Sequence, residues 1–277
     1  MKPIQTILVP TDLSEDAMDV LALAIDLARR HGAAVQVMYI RRALEDDAWS
    51  PLRLSPEQAV LRESPEKMLR DLIDRQLRGL RTDEVQVTVD APHSHSVSAG
   101  ILRQARAGEV DLIVMGLPGR RGPTRRRPGH TVLAVVREAP CPVLAVPPGG
   151  LPPSAAFERI VVVADPAEAH GPAVTLAEAL ATAYEARLAV LPPAEDTPVA
   201  DRYGAGPEAW REVARTQEAD LLVVHLPDAS GDDPTTAIAS LLSEASCPVL
   251  IVGPTVQPHA APTGSSVARE AAGTASG

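Results

Sequence analysis

The sequence predicts an α/β chain of two doubly wound parallel-sheet units in tandem, the first with five strands and the second with about four. Three observations predict it. Strand-like and helix-like segments alternate, the strand-like runs are continuously apolar, and the set recurs once along the 277 residues. Unbroken Val/Ile/Leu runs suit parallel strands whose two faces are both covered by helices.

The recurrence is explicit. Ala139-Pro-Cys-Pro-Val-Leu-Ala-Val146 returns as Ala245-Ser-Cys-Pro-Val-Leu-Ile-Val252, Asp111-Leu-Ile-Val returns as Asp220-Leu-Leu-Val, and Ile7-Leu-Val-Pro-Thr-Asp12 returns as Ile160-Val-Val-Val-Ala-Asp165. In the first unit the pattern predicts strand 4 to 9 and then helix 13 to 31, with Ala17, Leu21, Ala24 and Ala28 on one face. Strand 34 to 40, a charged mobile loop at 41 to 64, helix 65 to 80, strand 84 to 90 and helix 96 to 107 follow. Strand 110 to 115, helix 131 to 138 and strand 142 to 146 complete the unit. From Asp12 to Asp111 is 99 residues, but from Asp165 to Asp220 only 55. The second unit therefore lacks one helix and one strand, and residues 192 to 206 are expected to bridge directly to a helix beginning near Pro207. The expected division is 1–147 and 157–253, joined by a Pro/Gly linker at 148–156 and followed by a disordered Ala/Pro/Ser/Gly-rich tail at 254–277.

Composition narrows the function. Aromatic content of 2% leaves few platforms for base stacking, and a net charge of −10 opposes binding to a polyanion, so nucleic acid is not the expected partner. No apolar run approaches the ~18 residues that span a bilayer, and only Lys2 precedes the first strand, without the apolar core of a signal peptide. A cytoplasmic protein with no membrane contact is expected. Cys141 and Cys247 both precede Pro-Val at the start of a buried strand and read as small core residues rather than a disulfide.

The chemistry concentrates after Asp111-Leu-Ile-Val-Met-Gly116, a buried strand that empties into a glycine-punctuated loop. Gly116, Gly119 and Gly129 let backbone N–H groups approach an anion, and a helix starting after Gly129 offers its unpaired amides and dipole. Asp12 and Gly116 lie at carboxyl ends of strands, where ligands of such sheets bind.

These motifs resemble the universal stress protein family in its tandem two-domain form, over roughly residues 2 to 253. The family's ATP-binding members carry Gly, two residues, Gly, nine residues, Gly and then Ser or Thr; Gly116, Gly119 and Gly129 fit that spacing, and position 130 is His. The resemblance implies a Rossmann-like fold that holds ATP, with Mg2+ as companion ion. Pro10, Thr11 and Asp12 would line the adenosine side, with Asp12 accepting from adenine or ribose. Ile40 would pack on the adenine ring, Met115 and Gly116 would continue the wall, and Gly119, Gly129, Thr131 and Val132 would hold phosphates. His130 stands in for a hydroxyl; imidazole also donates, with charge assistance when protonated. Pairing of the last strands, 143–146 with 249–252, is implied as an intrachain pseudo-dimer, alongside a possible homodimer and an unidentified protein partner.

The second unit differs at the matching positions. Gly116 becomes His225, Gly129 to Thr131 become Thr235-Thr236-Ala237, and Asp228, Asp232 and Asp233 fall where a phosphate would sit. It is expected to bind no nucleotide. Several bland readings stand beside the sharp ones. Arg120, Arg121, Arg125, Arg126 and Arg127 read as a triphosphate clamp or a solvated loop, with a nucleic-acid contact as the third and least favoured reading. Asp12 suits a helix N-cap or first turn as well as a ligand. His93 and His95 read as a polar loop leading into a helix near Ser96, since two ligands do not make a stable metal site. No P-loop, nucleophile elbow, Cys-x-x-Cys or paired nucleophile and base occurs, so no enzyme is expected beyond slow incidental ATP hydrolysis. The expectation is a stress-linked ATP sensor or regulator in which nucleotide orders residues 117 to 128; a scaffold that keeps the fold only for dimerisation is the alternative.

Overall fold

The computed structural model describes residues 4–14, 16–42, 71, 73–74, 84–117, 129–151, 156–164, 171–191, 212–226 and 235–253. Five strands of the first unit are β1 (Thr6–Pro10), β2 (Ala34–Met38), β4 (Val87–Asp90), β6 (Leu112–Gly116) and β7 (Val143–Val146). Four strands of the second are β8 (Arg159–Val163), β9 (Arg187–Leu191), β10 (Leu221–His225) and β11 (Val249–Val252). All nine lie in one sheet of order β4-β2-β1-β6-β7-β11-β10-β8-β9. Every pairing is parallel except the joint between the units, where β7 and β11 run antiparallel with Val143, Leu144 and Ala145 opposite Ile251, Leu250 and Val249. The expected pairing of last strands is thus the seam of a single sheet.

Helices α1 (Asp16–His31) and α4 (Pro172–Tyr184) cover one face of that sheet; α2 (Val97–Ala107), α3 (His130–Glu138) and α5 (Thr235–Glu244) cover the other. Each face buries one apolar cluster that runs through both units. α1 forms because residues 16 to 31 contain neither Gly nor Pro, carry Asp16 and Asp19 in the first turn and end in Arg29, Arg30 and His31, which complements the helix dipole. It stops at Gly32, whose φ of 65° is the left-handed turn glycine permits. α4 starts with a proline in its first turn and stops at the matching position with Glu185, at φ 55°. An L-residue there carries about 1 kcal/mol of strain that Gly32 avoids.

The repeat is also written in hydrogen bonds. Asp111 Oδ2 accepts from the amides of Gln5 and Thr6 at 2.8 and 3.0 Å, and Asp220 Oδ2 accepts from Glu158 and Arg159 at 3.0 and 2.9 Å. The aspartate that precedes β6 in one unit and β10 in the other therefore ties down the start of the first strand of the same unit. On the α1 and α4 face, Arg30 bridges the units: its Nη1 donates to Ala183 O at 3.0 Å, and its guanidinium carbon lies 4.1 Å from the Tyr184 ring centre. Tyr184 packs on Phe157 with ring centroids 4.9 Å apart. Burial works against the Asp26 carboxylate, but hydrogen bonds from Arg30 and Arg29 outweigh it and hold its pKa below the usual value. Tyr184 Oη lies near that carboxylate without meeting hydrogen-bond geometry.

Several boundaries differ from the sequence reading. β2 ends at Met38 because Tyr39 and Ile40 leave the central ladder, and α1 begins at Asp16, three residues late, because residues 11 to 14 form a turn. Arg41–Arg42, expected as the start of a mobile loop, is β3, and His93–Ser94, expected as loop, is β5; the two pair in parallel beyond the ends of β2 and β4. The linker turns at Pro147 to Gly150: Gly150 N–H donates to Pro147 O at 2.9 Å with Gly149 at φ 64°, and Pro148 precedes it, the arrangement of a type II turn. Of helix 65 to 80, residues 71, 73 and 74 are described and helical. The bridge at 192 to 206 and the tail at 254–277 lie outside the described residues.

Replacing Asp111 or Asp220 by Ala leaves two strand-end amides without their acceptor, and each variant should lose about 1–3 kcal/mol in urea unfolding. His31 supplies a pH signature. Burial, with Arg30 beside it, lowers its pKa from the ordinary 6.5, and its Nε2 is buried without a partner among the described residues. The folded state thus binds this proton less readily than the unfolded state, so the stability it confers is present above about 6.5 and lost as pH falls below it. His31→Leu should flatten the fall in unfolding free energy between about pH 6.5 and 5 relative to the unsubstituted protein.

Candidate functional site

In the order β4-β2-β1-β6-β7, β1 and β6 are neighbours whose following connections run to opposite sides of the sheet. The crevice beyond their carboxyl ends is where such a fold takes a ligand. β1 delivers Pro10, Thr11 and Asp12 to it. Thr11 N–H donates to Met38 O at 2.9 Å, which fixes the turn to the end of β2. Thr11 Oγ1 then accepts from Leu13 N–H at 3.1 Å, and Asp12 Oδ1 accepts from Ser14 N–H at 3.0 Å. Leu13 closes the turn at φ 65°, a conformation that costs a leucine about 1 kcal/mol or more and concentrates at functional turns. Asp12 is exposed, lies four residues before α1 and is neither its N-cap nor in its first turn. Its Oδ2 has no donor among the described residues.

β6 delivers Met115 and Gly116. Met115 is buried in the core between the sheet and the α2 and α3 layer, so its side chain supports the crevice from behind instead of lining it. A Cβ on Gly116 would stand 3.2 Å from Val20 Cγ2 of α1, so the glycine permits close helix packing as well as an open crevice. Ile40 is likewise buried: a Cβ on Gly100 would stand 2.7 Å from Ile40 Cδ1, which places this side chain against α2.

α3 begins directly after Gly129, which has extended backbone and open space around its Cα hydrogens. No side chain caps the start of this helix among the described residues, and its first described backbone bond is Leu133 N–H to Gly129 O at 3.3 Å. The amides of His130, Thr131 and Val132 therefore start the helix without a partner among the described residues, at its positive end. Val132 is buried and contributes its backbone; Thr131 is half-buried and His130 exposed. Gly119 and Arg120 to Arg127 lie outside the described residues, as does Asp165.

The second unit preserves this backbone and changes its chemistry. Leu117 N–H donates to Val146 O and Leu226 N–H to Val252 O, both at 2.8 Å, so Gly116 and His225 occupy the same place at the ends of β6 and β10. An imidazole fills the position that glycine leaves open. Asp228, Asp232 and Asp233 lie outside the described residues. Burial pushes the thiol pKa of Cys141 up to about 12 and of Cys247 up to about 11, consistent with inert core residues. No cluster of three His, Cys, Asp or Glu side chains able to hold a metal occurs among the described residues, and no helix among them is long and apolar enough to cross a membrane.

The sequence profile of the universal stress protein family matches residues 3–147, just over half of the chain and all of the first unit. The chain belongs to the universal stress protein family. It is similar in structure to a universal stress protein from Archaeoglobus fulgidus, at 16% identity and TM-score 0.63, over 91% of this chain and 98% of that one. A protein from Pseudomonas aeruginosa matches at 15% identity and TM-score 0.64, over 91% of this chain and 94% of its own. At those identities the likeness concerns the fold alone. No curated protein matches the sequence significantly.

The turn at Asp12 separates a structural from a binding role. Asp12→Asn keeps the acceptor for Ser14 N–H and should unfold within about 0.5 kcal/mol of the parent, whereas Asp12→Ala should cost about 1 kcal/mol, measured by thermal denaturation.

Proposed function

We propose that the first unit binds ATP in the crevice beyond β1 and β6 and that the protein is a cytoplasmic, stress-linked regulator that reports nucleotide occupancy to a protein partner. The observation that carries this reading is the start of α3: three amides without a partner among the described residues, behind Gly129, at the same carboxyl edge of the sheet as Asp12 and Gly116. Backbone amides suit phosphate oxygens, and the unengaged Asp12 Oδ2 suits a ribose hydroxyl or an exocyclic amine. Gly116, Gly119 and Gly129 keep the spacing of the family's ATP-binding members. His130 takes the place of the usual hydroxyl, and its exposure leaves room for the ring to turn toward or away from a phosphate. Mg2+ would enter with the triphosphate. The second unit, with His225 at the glycine position, is silent and structural. We propose no catalytic role, because the sequence carries no P-loop, nucleophile elbow or Cys-x-x-Cys motif.

Titration calorimetry of Mg-ATP into nucleotide-stripped protein tests the proposal. Micromolar affinity at one site per chain is expected, with Asp12→Asn weakening it at least about tenfold. Absence of heat up to millimolar nucleotide in folded protein would replace this reading with that of a scaffold whose site His130 has closed. With binding in hand, slower proteolysis within 117 to 128 at saturating ATP is the expected output signal.

A further inference from the structure

The two ends of the nine-stranded sheet are finished differently. At the first unit's end, Tyr39 and Arg41 N–H donate to the carbonyls of Asp90 and Pro92, each at 3.0 Å. Alternation of an extended chain then turns the carbonyls of Ala91 and His93 outward. Both are capped: Arg41 Nε donates to Ala91 O at 2.7 Å, and Arg103 Nη2 donates to His93 O at 3.2 Å. A guanidinium on an outward carbonyl obstructs the approach of another strand.

At the second unit's end, β9 has no such cover among the described residues. Arg187 N–H donates to Glu158 O at 2.8 Å and Leu191 O accepts from Ala164 N–H at 3.1 Å, so the odd residues face β8. The N–H and C=O groups of Leu188 and Val190 consequently point outward. Their counterparts in β2 are Val35 and Val37, whose side of the strand is occupied by β4, with Val35 N–H donating to Gln86 O at 2.8 Å. Exposure follows the same division: Val37 is 1% exposed and Val190 44%. Ile73, fully buried in the cluster that contains Val37, belongs to the segment for which the shorter second unit has no room.

We infer that β9 pairs antiparallel with β9 of a second copy of this chain, in a two-fold dimer whose axis passes Ala189. The four outward groups are self-complementary: Leu188 of each copy lies opposite Val190 of the other and exchanges both hydrogen bonds, with Ala189 facing itself. A small side chain at the axis allows close approach. The single charge in the strand, Arg187, falls opposite Leu191, so like charges do not face one another. The molecule already joins its two units by the same device, an antiparallel pairing of three residue pairs between β7 and β11. Dimerisation also consumes the end of each sheet that has no cover among the described residues, and leaves outside the end where Arg41 and Arg103 cap carbonyls just beyond β4. None of this depends on nucleotide.

Sedimentation of the full chain over about 1 to 200 μM, a range suited to a small edge interface, tests the inference. The mass should rise from 29.2 kDa toward twice that value. Val190→Pro removes only an outward N–H and Val190→Lys places a charge on the edge; both should keep the circular dichroism of the parent and remain monomeric over the same range. Ala189→Cys should give a disulfide-linked dimer on mild oxidation, since facing residues of a non-hydrogen-bonded antiparallel pair have the right separation and the native cysteines are buried. A parent chain that stays monomeric throughout would overturn the inference and show that its own residues cover the edge or that the edge stays bare. Folded Val190 variants that dimerise as readily as the parent would overturn it too, by placing the interface elsewhere.

Discussion

The antiparallel joint between β7 and β11 is the constraint on which the rest of the molecule depends. All eight residues of these strands are buried, at 3% exposure or less. Each carries backbone groups that would be orphaned in an isolated unit and apolar side chains on both faces of the sheet. Separation of the units would expose edge amides and two rows of Val, Leu and Ile, each worth roughly 1.5–3 kcal/mol of burial. The joint turns two sheets into one and aligns the helix layers, so that Arg30 of α1 reaches the α4 carbonyl and ring, and α3 packs beside α5 on the other face.

Within that frame the two units show what a repeat preserves and what it releases. Backbone devices are kept: the aspartate clasps, the left-handed residue ending the first helix, and the bond from the residue after β6 or β10 to the last strand. Side chains at the carboxyl edge are released, so glycine at 116 becomes imidazole at 225. The fold requires the first set in both copies. The second set lies outside that requirement, and the unit that forms the other half of the sheet keeps its scaffold with a different side chain at the end of β10.

Much of this was legible in the sequence, for identifiable reasons. Continuous Val/Ile/Leu runs marked the parallel strands, and Asp111 and Asp220 marked the register of the repeat. The places of Asp12, Gly116 and Gly129 were legible because they follow from strand ends and a helix start. Boundaries set by tertiary contact were not. α1 begins at Asp16 because Thr11 and Asp12 spend their side-chain oxygens on a turn, and nothing local reveals that Leu13 closes it at positive φ. β3 and β5 escaped notice because two-residue strands have no periodicity; Arg41 and Arg103 hold them through backbone carbonyls distant in sequence. Ile40 and Met115, assigned by resemblance to the wall of the crevice, have their side chains in the core: Met115 alternates toward the helix layer within β6, and Ile40, beyond the end of β2, packs against Gly100 of α2.

The placement of α3 links the carboxyl edge of the first unit mechanically to the second unit. Its first amides face the candidate phosphate position, its buried side chains Val132, Val135 and Val136 lie in the α2, α3 and α5 cluster, and it contacts α5 of the other unit directly. A force on the start of α3 is therefore borne by a short rigid helix wedged between its own sheet and the partner unit. Close-packed interiors do not absorb such a displacement by compression. The second unit is the body against which a displacement of α3 would act. That role asks only for a stiff sheet and for α5 in place, and not for particular side chains at its carboxyl edge.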